Sequence, residues 1–300
     1  MKSASLCVTA LLVVFIVFTL ESSAMSAPKL GRDGVGTAPK AESAGKGLIF
    51  GPMRKNFVIT PDTPAVAVEN LVGMENAEAV LDWGEMFPPR SLLKQVSAAG
   101  ISVNLMLPTE FTAQHLSRLE ELNNYSVSFR ITKAKLNEQF IGRAQAIGPR
   151  TKRFEIAIGD LDAAAVAMLK KVPRSEYLVR VTDAKEINAG SLAVLKSLGA
   201  PVEIMLPAAF PAAQIKMFKG LKRTRLLLEA GGGVIDNAQA RELNALGDIE
   251  GGAWLHGLMK KDEAFSYMMI GNLRAVYFYM HEWAMTPEFI RMMNSHGEAM

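Results

Sequence analysis

Two stretches of this chain echo each other: Ser91–Pro108, SLLKQVSAAGISVNLMLP, and Ser191–Pro207, SLAVLKSLGAPVEIMLP, each followed by a Phe and a helical pattern. The echo sits on a finer rhythm. From Phe57 onward, runs with apolar residues at every second position alternate with stretches whose apolar residues fall three and four apart, the signature of repeated strand and helix units. The expected strands are Phe57–Thr60, Ala77–Asp82, Val103–Leu107, Val127–Thr132, Phe154–Gly159, Tyr177–Thr182, Val202–Leu206 and Arg225–Glu229. They form an α/β domain over 51–257 with eight βα units in two duplicated halves, 57–153 and 154–251. Four units in each of two copies is the arithmetic of a closed βα barrel. An open βα solenoid of leucine-rich-repeat type uses the same unit length. Val179, Val181, Ile187, Leu192, Leu195 and Leu198 fit that alternative. The other units lack its Asn and its Leu, so the barrel is preferred.

The two faces of these strands differ. Val127, Phe129 and Ile131 alternate with Ser128 and Arg130, while Phe154, Ile156 and Ile158 alternate with Glu155 and Ala157. The apolar face must pack on helices. The other face carries Arg130, Glu155, Arg180, Glu203 and Glu229. A solenoid would leave these charges in water, whereas a closed barrel must bury them, and burial is expensive unless they pair.

The chain ends read differently. Lys2, the apolar run Leu6–Leu20 and the small residues before Ala24 have the order of a secretory signal peptide over residues 1–24. The run is shorter than the ~20 residues a membrane span needs, so after cleavage the chain is not an integral membrane protein. A periplasmic or secreted location follows, with residues 25–50, rich in Gly, Ala, Pro and Ser, as a flexible linker. Residues 258–300 are expected to be helical and packed on the domain, mainly through Asp262–Trp283 with Phe265, Met269, Leu273, Val276 and Met280 on its apolar stripe. That stripe is also the place for a protein partner.

Composition closes off several chemistries. A net charge of +3 over 300 residues gives no electrostatic footprint for nucleic acid. The single cysteine, Cys7, lies in the first apolar run, which excludes a disulfide framework, a cysteine zinc site and a thiol nucleophile. His256, His281 and His296 and eight of the 17 methionines crowd the last 45 residues, but with no metal-binding spacing. Neither a metal nor a cofactor is expected.

Candidate chemistry therefore rests on residues that follow the strands, where barrels hold their ligands. Asp82, Asp183 and Glu229 are the candidate catalytic acids, and Asp62, Asp160 and the turn Gly231, Gly232, Gly233 are candidates for binding a small-molecule ligand. Glu110 and His256 share that rim. Two carboxylates converging in one pocket would make the chain an exported, glycosidase-like hydrolase. Acids spent as helix N-caps would make it an exported non-enzymatic binding or scaffold protein. Asp62, Asp160 and Asp183 are expected to be caps, which favours the binding reading; whether a reaction is catalysed stays open at this point.

Overall fold

A computed structural model describes residues 54–63, 68, 69, 71, 72, 74, 76–120, 122, 124–148, 150–230, 235–255 and 269–279. The expected leader 1–24, the linker 25–50, the turn Gly231–Gly233, His256 and the expected helical stretches over 258–268 and 280–300 lie outside the described residues. The barrel belongs to a unit spanning Leu48–Met300.

Ten parallel strands form it: β1 Arg54–Ile59, β2 Ala77–Leu81, β3 Ser102–Leu107, β4 Tyr125–Ile131, β5 Lys152–Ala157, β6 Ser175–Arg180, β7 Val202–Leu206, β8 Thr224–Glu229, β9 Glu250–Leu255 and β10 Leu273–Tyr279. Each pairs with its neighbours in sequence, and β1 pairs with both β2 and β10, so the sheet closes on itself. Closure rules out the solenoid. Helices α1 Arg90–Ala98, α2 Ala113–Leu119, α3 Glu138–Ala146, α4 Ala163–Leu169, α5 Ala189–Leu198 and α6 Asn237–Asn244 alternate with the strands, and the 3-10 helix Ala212–Phe218 takes a helix's place between β7 and β8.

All eight expected strands are present, their ends shifted by at most three residues. The ring nevertheless has two more. β9 covers the strand-like run around Gly252, while β10 replaces a helix expected over the same residues. In LRAVYFY the apolar spacing suits either period, but β-branched and aromatic density favours a strand. A register irregularity between Leu273 and Ala275 hides the alternation: Leu273 and Val276 join the outer core, whereas Ala275 and Tyr277 point inside the barrel. Met269, assigned above to a buried stripe, is exposed.

The odd-numbered strands begin at Arg54, Ser102, Lys152, Val202 and Glu250, and the even-numbered ones at Ala77, Tyr125, Ser175, Thr224 and Leu273. Each series advances by 48 to 50 residues per step. Backbone geometry keeps the same beat. Gly100, Gly148, Gly199 and Gly247, all at positive φ, precede β3, β5, β7 and β9, whereas Asn76, Arg174 and Arg223, also at positive φ, stand immediately before β2, β6 and β8. Gly199 ends α5 in the left-handed region, where glycine carries no Cβ penalty. A strand pair is thus the constructional unit, and five make the ring.

Two cores follow from the alternation. Outward residues such as Phe57, Leu105, Phe129, Phe154 and Ile204 pack under the helices with Leu93 and Phe140. Phe129 meets Phe140 edge-on at 5.2 Å and stacks on Phe154 at 5.7 Å. Inside the barrel a smaller apolar cluster, among it Val58, Val80, Leu178, Leu227, Trp254 and Tyr277, shares the space with charged side chains.

Candidate functional site

The inward charges are paired, as closure requires. Arg225, fully buried, donates to Glu203 Oε1 at 2.6 Å and to Glu250 Oε2 at 2.9 Å. Tyr277 Oη donates to Glu203 Oε2 at 2.5 Å and accepts from Arg153 Nη1 at 3.0 Å. Burial pushes the Tyr277 hydroxyl up in pKa, and its bond to Glu203 pushes the same way, so it stays a donor. Arg153 remains charged: desolvation opposes the charge, but Glu203, Glu78 and Glu176 outweigh it.

A second cluster stands at the carboxyl ends of the strands, the end where barrels bind ligands. Arg130, near the end of β4, donates from Nη2 to Asp82 Oδ2 at 2.9 Å and from Nε to Glu155 Oε1 at 3.2 Å. Arg180, closing β6, donates from Nε to the same Glu155 oxygen. Its guanidinium lies 5.1 Å from the ring centre of Trp254, which stacks on Tyr277 at 4.4 Å. Glu155 is buried, Asp82 is half-buried, and half of the Arg130 side chain is exposed. Burial works against the Arg130 charge, yet Glu155 and Asp82 raise its pKa above the ordinary value.

These groups hold equivalent places in the repeat. Arg130, Arg180 and Glu229 stand at the last inward position of β4, β6 and β8, and Asp82 holds the matching place just past β2, the four spaced 48, 50 and 49 residues apart. That spacing was the signal in the sequence that would have placed Arg130 and Arg180 on the rim beside Asp82. The larger echo hid it.

Of the acids expected at the rim, Asp82 directly follows β2 and Glu229 ends β8. Asp183 caps a 3-10 turn, accepting from the Lys185 amide at 2.9 Å, while Glu186 reaches back to the Asp183 amide at 3.0 Å. It is exposed, and its carboxylate is engaged in that cap. Asp160 lies within a 3-10 turn, and the cap of α4 is Asp162, which accepts from the Ala165 amide at 2.8 Å. Asp62 is exposed in a turn whose side-chain acceptor is Thr63 Oγ1. Glu110 is exposed as well. Among the described residues no group of three or more His, Cys, Asp or Glu could hold a metal ion.

No protein-family model matches the chain, and no curated protein matches it. Among solved structures it is similar to a tryptophan synthase chain from M. tuberculosis, at 8% identity over 75% of this chain and 94% of that one, with a TM-score of 0.42. A mutant tryptophan synthase alpha-subunit from Pyrococcus furiosus shows 10% identity, with 82% and 96% covered and a TM-score of 0.36. At these values no substrate or residue role passes from them to this chain. The expectation of a non-enzymatic binding or scaffold protein is corrected on the geometry: Asp82 and Glu155 converge on one guanidinium at the carboxyl mouth of the closed barrel.

Proposed function

We propose that the chain is a hydrolase with a small-molecule substrate, glycosidase-like in its use of two carboxylates at the carboxyl mouth of the barrel. The observation that carries this reading is the binding of Asp82 and Glu155 by two nitrogens of the single Arg130 guanidinium. Oxygens so held lie at most roughly 8 Å apart, below the widest separation of an inverting pair. The space between these groups is about 20 Å³, room for one water. A substrate therefore has to displace the exposed Arg130 side chain. Once it does, the Asp82 carboxyl is released from its cationic partner and can reach a leaving group as the general acid. Glu155 keeps Arg180 and serves as the acceptor that activates water or steadies positive charge.

Hydrolysis of a panel of nitrophenyl glycosides tests the proposal. The protein should turn over at least one of them, and Asp82→Asn should lower kcat by about a hundredfold or more while leaving the melting temperature close to that of the parent. Failure on every glycoside, or an unimpaired Asp82→Asn variant, would overturn it.

A further inference from the structure

The opposite end of the barrel holds a larger space. A recess of about 150 Å³ opens among the first inward residues of the strands, Arg54, Glu78, Asn104, Ser126, Arg153 and Glu176. We infer that this recess binds a small zwitterion, a free amino acid or a molecule of the same charge pattern, at a site separate from the carboxyl mouth.

Charge and distance argue for it together. Two guanidiniums and two carboxylates line the recess, so it has both signs and no net excess. They stand apart where direct pairs would close up. Arg54 Nη1 is 3.8 Å from Glu78 Oε2 and 3.9 Å from Glu176 Oε2, beyond hydrogen-bonding reach, and Arg153 Nη2 is 3.5 Å from Glu176 Oε2. Elsewhere in the same barrel Arg225 meets its carboxylates at 2.6 and 2.9 Å. Glu78 is 8% exposed, and its Oε2 is a buried acceptor without a hydrogen-bond donor. Such an atom is costly to leave unmatched. An ammonium group placed between Glu78 and Glu176 would supply the missing donor, while a carboxylate on the same ligand would take the free edge of Arg54. The volume matches that of a cavity known to admit benzene, so the ligand has about five to eight non-hydrogen atoms. Glu176 and Arg54 are about a quarter exposed, which leaves the recess open to solvent.

Calorimetric titration of the full chain with glycine, alanine and serine tests this, with acetate and methylammonium as single-charge controls. At least one amino acid should bind, and each control should bind about tenfold more weakly or worse, since it makes only one of the two charge-assisted contacts. Arg54→Met and Glu78→Gln should each weaken binding by a similar factor. The Arg54 side chain is part-exposed, and that variant keeps the measurement interpretable if Glu78→Gln fails to fold. Asp82→Asn should bind like the parent, so failure of the hydrolase reading leaves this result standing. Absence of heat with all three amino acids, controls that bind as well as they do, or an Arg54→Met variant with unchanged affinity would overturn the inference.

Discussion

Glu203 accepts from Arg225 on one oxygen and from Tyr277 on the other, deep in a barrel where a lone carboxylate would be untenable. Burial alone would raise its pKa. Arg153 and Arg225 more than offset that and hold the group down from 4.5 to about 2. Because the folded value is depressed, the stabilisation is complete above the unfolded pKa and is lost as pH falls from 4.5 to about 2. A shift of this size corresponds to roughly 3 kcal/mol. The melting temperature should therefore drop steeply across that window. Glu203→Gln should start lower at pH 7, since its arginines lose a counter-charge, and should fall less steeply on acidification. An equally steep fall in the variant would place the acid-sensitive group elsewhere. The charges at Arg130, Glu155, Arg180 and Glu203 were legible in the sequence as an inward face that closure would force into pairs. Their partners were not, because pairing joins neighbouring strands whose register the sequence does not state.

β9 shows what a filled interior demands of an element. A Cβ at Gly252 would lie 2.3 Å from Leu227 Cδ2 and 3.1 Å from the Ala275 carbonyl oxygen. Leu227 is fully buried and the carbonyl belongs to β10, so neither yields freely. Gly252→Ala should cost about 1 to 3 kcal/mol by overpacking, read as a lower urea midpoint with an unchanged slope. A variant as stable as the parent would show the interior to be looser than described. The first eight strands were readable because each keeps apolar residues at every second position on its outer face, even where Val58, Val80, Leu178, Met205 and Leu227 make the inner face apolar too. β10 was not, since its bulge puts Leu273 and Val276 on one face and Ala275 and Tyr277 on the other, a pattern that also satisfies helical spacing. A strand pair with a 48 to 50 residue step was likewise hidden behind the stronger echo between Ser91–Pro108 and Ser191–Pro207.

At the scale of the molecule, closure decides everything else: it buries the charged face, brings Asp82 just past β2 to Arg130 on β4 and Glu155 on β5, and leaves polar space at the other end. Both rims are assembled from equivalent positions of repeated strand pairs, so a barrel class could be read from the sequence while its chemistry could not. Asp82 and Asp183 each accept from a backbone amide two residues on, that of Gly84 at 3.1 Å and that of Lys185 at 2.9 Å, and only the fold adds Arg130 to the first of them. Native-state hydrogen exchange along β1 tests closure most directly, because β1 is bonded to β2 on one side and to β10 on the other. The amides of Asn56, Phe57 and Val58 should exchange as slowly as those of Phe154, Glu155 and Ile156 in the middle of the sheet. Exchange along β1 orders of magnitude faster than along β5, as expected of an open edge, would contradict the closed ring.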